Sequence, residues 1–463
     1  MIRVLCGVVP WVALTMSSAP AQDWRPVRVA RDSEGWPHFF EVWREDRESY
    51  SPTVLSGYAN LAFTFPLAET RGVLDDLSKN HGNFTRLWVG AGDGFSAYRF
   101  DAVQRKVDLN HWNDDFFDRL DLILSEAEKR DVVVEVMLWD RCTWWIGGGL
   151  STPESWRKGI GHDRGQNPFH PDNHYRSSVD GKPVPGVVMK DTRRIEADPF
   201  YNTENDTWMV YQKRYMSRIL EVLKHHNNVT VELINEAPAT EAATDWRKYM
   251  HTWLKSEYPD LLVQSESLGA DRDLASWGRD HPGRVDMTAS HDDWSYDSAQ
   301  AFYHKYKGVL PGCNEYIHQD LTDMSRCRRM MWGLTMGGGA SWNENITPPN
   351  GSILTQEIHR FFNPEHDSPR IGLLRPAKDR IIDNDGSKYV LAPDDASEIL
   401  VYISEESGAE PFKARGIGSC RFRWFTCAGK DSVWGDWDKC DTGAFTPPTA
   451  PCGLQIRLDE KSF

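Results

Sequence analysis

An asparagine and a glutamate close an apolar segment in the middle of the chain. Residues 229–238 have the sequence VTVELINEAP, in which a β-branched run ends at Asn235 and Glu236 before a proline that prevents immediate helix continuation. Because an unpaired buried carboxylate is costly, a strand that ends on one is typical of a side chain facing a cleft. Glu315 follows a second short apolar stretch, in GVLPGCNEY. Two glutamates at strand ends suit glycoside hydrolysis, with one as acid/base and the other as nucleophile.

The elements that must position these glutamates alternate between strand and helix. Eight strand candidates, most of them separated by amphipathic helices, predict a (β/α)₈ TIM barrel, in which strand carboxyl ends share one face. An open doubly wound sheet is the alternative, but no Gly-rich phosphate turn follows the first strand. The predicted strands are 61–65, 83–89, 132–139, 229–236, 261–266, 285–291, 308–315 and 338–342. The predicted helices are 68–79, 113–129, 207–225, 244–256, 298–306 and 323–332.

The regions flanking this pattern differ in composition. Residues 22–55 predict an irregular leader with a β-like piece, and the long loop 142–203 is rich in Trp, Gly, Pro and His, which is uncommon unless functional. After Pro369, short strands separated by turn residues predict a small all-β sandwich. We therefore expect a signal peptide at 1–21, a catalytic barrel at 22–370 and a C-terminal β-sandwich domain at 371–463.

The N-terminus has the pattern of a secretory signal peptide. A basic start, an apolar stretch from Val4 to Met16 and the run SSAPA precede the expected cleavage, which predicts a secreted or periplasmic protein. No later stretch is long and apolar enough to span a bilayer, so we expect no membrane insertion. In an exported protein, the crowded cysteines Cys420, Cys427, Cys440 and Cys452 predict two disulfides stapling the C-terminal domain, in any of three pairings.

Charge and composition limit the classes of molecule that the protein is expected to bind. The formal net charge of -15 does not favour nucleic acid or anionic membranes. Twenty tryptophans are many for 463 residues, and some of them are expected to stack on sugar rings. The absence of a Cys-x-x-Cys motif argues against a zinc site.

With both glutamates placed in a barrel, the sequence resembles the clan A glycoside hydrolases, the cellulase-like retaining barrels. The segment NVTVELINE at 228–236 is similar to their fourth-strand motif, and the resemblance covers roughly residues 56–350. It implies that Glu236 is the acid/base, that Asn235 binds a sugar hydroxyl, and that Glu315 is the seventh-strand nucleophile. Arg86 matches the second-strand arginine that supports the nucleophile.

The same resemblance implies further substrate-binding residues. His291 matches the sixth-strand histidine and Trp342 the eighth-strand aromatic platform, and Tyr316 lies next to Glu315. Trp139 and Asp140 follow the third strand and are expected to line the cleft. The tyrosine usual two residues after the sixth-strand histidine is Asp293 here, and Trp294 or Tyr296 is the expected substitute. The C-terminal stretch resembles the collagen-binding-type β domain fused to such barrels, including apiosidase-like proteins.

These features predict a glycoside hydrolase that acts on a β-linked carbohydrate with retention, without a cofactor or metal. Glu266 and Glu344 are rival carboxylates for the catalytic roles. A catalytically degenerate carbohydrate-binding or scaffold protein is one alternative, although such a protein has no need of two opposed glutamates. A transglycosylase is the other, because it shares all these residues and differs only in the acceptor.

Overall fold

The structure is a computed structural model that describes most of the chain between residues 24 and 458. Inside this span, the residues left undescribed are 64, 90–96, 102, 105, 140–177, 180–181, 184–198, 268–271, 291–293, 313–321, 344–345, 347, 364–367, 383–385 and 418. The predicted signal peptide and four predicted site residues, Asp140, His291, Glu315 and Tyr316, therefore lie outside the described residues.

Parallel strands and surrounding helices build the larger part of the molecule. The strands up to residue 343 are β1 (Arg28–Arg31), β2 (Pro37–Arg44), β3 (Ser49–Thr53), β4 (Ser56–Tyr58), β5 (Asn60–Ala62), β6 (Phe84–Trp88), β7 (Tyr98–Asp101), β8 (Lys106–Trp112), β9 (Val133–Met137), β10 (Ser178–Val179), β11 (Lys182–Pro183), β12 (Val229–Glu232), β13 (Val263–Ser267), β14 (Met287–Ser290), β15 (Leu310–Gly312) and β16 (Ser341–Asn343). The helices are α1 (Leu67–Lys79), α2 (Asp114–Glu128), α3 (Asp206–Leu223), α4 (Glu241–Glu257), α5 (Arg272–Asp280), α6 (Tyr296–Lys305), α7 (Met324–Met336) and α8 (Asn350–Phe362).

The parallel strands follow the order expected of a barrel, but the barrel is not closed by hydrogen bonds. Seven strands pair in the order β15, β14, β13, β12, β9, β6, β5. β16 pairs with β4, and β4 and β5 together occupy the first strand position of the barrel. Among the described residues β15 and β16 are not paired. The backbones still approach closely at this seam, since a Cβ on Gly339 would lie 2.3 Å from the Pro311 carbonyl oxygen.

The predicted irregular leader is instead a three-stranded antiparallel sheet, β1–β2–β3. Phe40 and Val42 of β2, with Val27 just before β1, pack against residues of the parallel strands and their ends: Phe84, Val133, Leu262, Met287, Leu310 and Trp342. This apolar layer forms the floor of the barrel interior. The β-like piece predicted within residues 22–55 corresponds to the start of β2, but the interpretation of the rest as irregular was wrong, because this segment gains its order from burial against the barrel.

The C-terminal domain is mostly sheet. Its strands are β17 (Arg375–Pro376), β18 (Ile381–Ile382), β19 (Lys388–Ala392), β20 (Glu398–Ile403), β21 (Phe412–Ala414), β22 (Cys420–Thr426), β23 (Val433–Trp434), β24 (Asp438–Cys440), β25 (Ala444–Phe445) and β26 (Cys452–Leu458). β18, β21 and β25 form a small sheet, and the other seven strands form a larger one. Apolar side chains of both sheets, such as Phe412 and Val401, share one core, as in a two-layer sandwich.

The other face of the large sheet packs on the barrel. Tyr402 stacks on Trp332 of α7 with ring centroids 4.2 Å apart, and Tyr389 stacks on Tyr296 of α6 at 4.7 Å. Arg328 of α7 forms a two-pronged ion pair with Glu357 and also contacts Glu405 of the C-terminal domain. The barrel helices and this sheet face therefore belong to one continuous core.

The described residues also bear on the predictions about membrane insertion and disulfides. In the described ranges, no helix is long and apolar enough to cross a membrane. Cys420, Cys427, Cys440 and Cys452 are all described, and no disulfide joins them.

Candidate active site

The segment after β12 extends the parallel sheet to its carboxyl edge. Its backbone is held on both sides, because the Asn235 N–H donates to the Trp139 carbonyl at 2.9 Å and the Ala237 N–H donates to the Glu266 carbonyl at 3.2 Å. β12 is the fourth strand position of the barrel, counting β4 and β5 as one. Asn235 and Glu236 consequently lie at the edge where parallel strands of an α/β barrel present functional groups.

Glu236 has a backbone conformation that few side chains adopt. Its φ of +50° lies in the left-handed region, and its residue surface is only 7% exposed. A Cβ in this region costs about 1–2 kcal/mol through its contact with the following carbonyl oxygen. Such strain persists where the surrounding structure imposes it, and it is concentrated at functional sites.

Arg86 is the central side chain beneath this segment. It projects from β6 into the barrel interior, is fully buried, and binds Glu232 through Nε and Nη2, both at 2.6 Å. Its Nη2 also donates to Asn235 Oδ1 at 2.8 Å and lies 3.3 Å from Glu266 Oε2. A buried two-pronged guanidinium–carboxylate pair is strong and geometrically specific. Arg86 therefore fixes the amide of Asn235 with its oxygen towards the guanidinium.

The buried carboxylates around Arg86 were not assigned from sequence. Glu232 and Glu135 are the only charged residues in their strands, and both are fully buried. In the sequence, each of them is marked only as a single carboxylate inside an apolar run. The alternation of side chains along a strand places that carboxylate on the interior face once the register is known. Burial is the largest cause that raises the pKa of Glu135 well above its ordinary value, and Glu232 raises that pKa further.

Glu266, one of the rival catalytic carboxylates, lies in the same buried layer. It is fully buried and sits against Arg86 rather than at the cleft edge. This position supports a role in holding Arg86, since a catalytic carboxylate must reach the substrate. Glu344, the other rival, lies outside the described residues.

The three described tryptophans predicted to bind substrate are all buried. Trp139 packs against Phe200 and Tyr215, and Trp294 meets the ring of Phe302 edge-on. Trp342 lies in the apolar floor, where its Nε1 donates to the Ala59 carbonyl at 3.3 Å. The structure places these rings in packing positions, and their contact with a substrate stays a prediction.

The structure thus brings Arg86, Asn235 and Glu236 together with the additional carboxylates Glu232 and Glu266. β15 ends at Gly312, shortly before Glu315 in the sequence, and runs parallel to the strand that precedes Glu236. The distance between the two predicted catalytic carboxyl groups stays a prediction, because Glu315 lies outside the described residues. Among those residues, no group of three or more His, Cys, Asp or Glu side chains could hold a metal ion.

The chain is similar in fold to proteins of known structure. No family model and no curated protein matches the chain. A solved glycoside hydrolase family 5 structure from Bacteroides vulgatus matches with a TM-score of 0.55 and 12% identity, covering 94% of this chain and 94% of that chain. A second protein from the same species, described as a candidate glycoside hydrolase, matches with a TM-score of 0.58 and 11% identity over 94% and 82% of the two chains. Across both of its domains, this chain shares its fold with glycoside hydrolases.

Proposed function

We propose that the protein is a secreted retaining glycoside hydrolase that cleaves a β-linked glycan or glycoside with two glutamates. The observation that carries the proposal is the arrangement at the fourth strand, where Glu236 has a strained backbone and the neighbouring Asn235 amide is held by Arg86. The shared fold with glycoside hydrolases supports the same assignment. The substrate is a carbohydrate, and the reaction needs no cofactor.

In the first half of the proposed reaction, Glu236 gives its proton to the glycosidic oxygen while a carboxylate oxygen of Glu315 attacks the anomeric carbon. The bond between that carbon and the leaving oxygen breaks, and a covalent glycosyl-enzyme forms. In the second half, Glu236 takes a proton from water, the water oxygen attacks the anomeric carbon, and Glu315 leaves as a carboxylate. Asn235 Nδ2 donates to the sugar hydroxyl next to the reacting carbon.

Retention requires the two carboxyl groups to lie about 5–5.5 Å apart. A crystal structure that includes residues 313–321 measures this distance directly. A separation beyond about 6.5 Å would instead match an inverting enzyme, in which a water molecule occupies the space between the carboxyl groups.

The roles of the two glutamates are separable with aryl β-glycosides that carry a good leaving group. Glu236→Ala should keep the first step on such substrates, because little protonation is needed, and should lose activity on natural glycans. Glu315→Ala should be inactive on both until azide is added, when a glycosyl azide of inverted anomeric configuration should form. Glu241→Gln, an exposed glutamate at the start of α4, is the matched control and should retain full activity.

The opposite pattern of azide rescue would mean that the two roles are exchanged. Absence of activity across a broad panel of plant and algal β-glycans and aryl glycosides, with the fold intact, would overturn the hydrolase assignment. Release of transfer products instead of free sugar would identify a transglycosylase.

Secretion is proposed from the first 21 residues. Mass measurement of the protein recovered from its native host should show a mature N-terminus near residue 22. An intact N-terminus in the cytoplasmic fraction would contradict this part of the proposal.

A further inference from the structure

Glu135 lies in the barrel interior with an excess of negative charge around it. It projects from β9 directly opposite Arg86 of β6 and Thr230 of β12. Glu232 of β12 and Glu266 of β13 face it in the same buried layer, and all of these side chains are buried. Among the described residues, the ionisable groups of this layer are these three carboxyl groups and the guanidinium of Arg86.

The carboxylate contacts of the guanidinium are made by Nε and Nη2 and go to Glu232 and Glu266. Arg86 uses two nitrogens for Glu232, and its Nη2 also serves Asn235 and approaches Glu266. In the described part of the chain, neither carboxyl oxygen of Glu135 has a hydrogen-bond partner. A buried carboxylate without a donor carries a desolvation penalty that nothing offsets, whereas a neutral acid avoids most of this penalty.

We propose that Glu135 is a positioning residue that occupies the barrel interior as a neutral carboxylic acid, which leaves Arg86 bound to Glu232 and Asn235. An ionised Glu135, directly opposite Arg86, would compete for the guanidinium and draw it away from the Asn235 amide. The neutral acid fills the same volume without that competition. The protonation is testable without a substrate, and only its consequence for catalysis rests on the proposed function.

The raised pKa of Glu135 agrees with this charge state, and burial is its largest cause. Since the pKa in the folded state exceeds that in the unfolded state, Glu135 contributes stability that is complete below the unfolded pKa and declines as the pH rises towards the folded pKa. A glutamine at this position has the shape of the neutral acid and no proton to lose.

The experiment compares wild type with Glu135→Gln in urea unfolding at a series of pH values from about 5 to 9. The ratio of the folding equilibrium constants, variant over wild type, should rise with pH by up to about tenfold per pH unit. Glu410→Gln, an exposed glutamate of the C-terminal domain, controls for the loss of one charge and should not show this rise. A ratio that stays flat or falls with pH would overturn the proposal, because it would mean an ionised and paired Glu135.

An infrared difference spectrum provides an independent measurement. Wild type minus Glu135→Gln at neutral pH should contain the carbonyl band of a protonated carboxylic acid, and a carboxylate band in its place would contradict the proposal. Glu135→Met removes the polar group at similar volume and should also fold. Failure of both the glutamine and the methionine variants to fold would overturn the proposal, because a neutral acid leaves no ion pair to break.

The catalytic consequence is measured with the aryl glycosides. Glu135→Gln should keep kcat within about threefold and retain activity at a more alkaline pH than wild type, because Arg86 is not drawn away. Loss of kcat at all pH values would contradict the positioning role. If no glycoside is cleaved by wild type, the proposed function fails while the stability and infrared results still decide the charge state.

Discussion

At Glu236, the backbone conformation disfavours a side chain, yet a carboxyl group is present. Its left-handed backbone lowers the stability of the fold, and the hydrogen bonds of Asn235 and Ala237 on either side impose that conformation. A glycine would adopt the same conformation without the steric cost, but it would bring no carboxyl group. The side chain is therefore kept at a position where the backbone alone would favour glycine, as expected of a functional residue.

This conflict predicts an inverted order of stability for two small substitutions. Glu236→Gly should be more stable than Glu236→Ala by about 1 kcal/mol, because only alanine retains the left-handed strain of about 1–2 kcal/mol. Urea unfolding measures the difference. Thr252, exposed in the middle of α4, is the control position, where alanine should be more stable than glycine by about 1 kcal/mol. Equal stability of the two variants at 236 would mean that the strain is absent.

The part of the site that sequence predicts consists of residues marked by local context. Asn235 and Glu236 end an apolar run, so their placement at a strand end follows from pattern alone. Glu135 and Glu232 could not be assigned a role in this way, because their meaning depends on which neighbouring strand presents a cation to them. Arg86 was expected to support Glu315, and the structure adds its bonds to Glu232 and Asn235, which depend on the strand order.

Among the elements, those with strong periodicity were predicted within a few residues. The helix predicted at 68–79 is α1 (67–79), and the helix predicted at 113–129 is α2 (114–128). The N-terminal sheet was predicted only in part, as a β-like piece at the start of β2, because β1 (RVAR) and β3 (SYSPT) are short and mostly polar. Its order depends on contact with the barrel floor, which no local pattern encodes.

Strand register also narrows the possible cysteine pairings. Cys420 of β22 lies directly opposite Cys440 of β24, and both belong to the core between the two C-terminal sheets. Directly opposed residues of antiparallel strands have Cα atoms about 4.5–5.5 Å apart, within the range of a disulfide. Cys452 belongs to the same core, whereas Cys427 packs against the core shared with the barrel, on the other face of the sheet. The register therefore favours a bond between Cys420 and Cys440.

We predict that oxidation joins Cys420 to Cys440 and leaves Cys427 and Cys452 as thiols. Exchange with oxidised glutathione supplies the chemistry, since the two thiols lose two electrons and two protons and two molecules of reduced glutathione form. Peptide mapping of the non-reduced protein should find this single cross-link, which should stabilise the domain by about 3 kcal/mol. Cys420→Ser is the control that should show no cross-link. A bond between Cys427 and Cys452 would contradict the assigned faces.

At the scale of the whole molecule, the barrel and the C-terminal domain are joined by one core. Trp332 and Phe361 of the barrel helices pack against Tyr402 and Phe425 of the large sheet. The ion pairs of Arg328 reach both Glu357 within the barrel and Glu405 across the interface. The change of pattern after Pro369 could not predict this interface, because the interface depends on which helix faces are left uncovered. The interface supports a covering role for the C-terminal domain, whose removal would expose large aromatic side chains.

We therefore predict that the two domains unfold together. Tyr402→Ala removes the ring that stacks on Trp332 and should lower the free energy of unfolding of the whole protein by about 3–5 kcal/mol, the usual cost of deleting a buried aromatic side chain. Hydrogen exchange read out by peptide should show the slowest amides of β12 and of β20 accelerated by the same factor. Val433→Ala, an exposed position of the same domain, is the control and should change stability by less than about 0.5 kcal/mol. Acceleration confined to β20, with β12 unchanged, would mean that the domains unfold separately and that the shared core does not couple them.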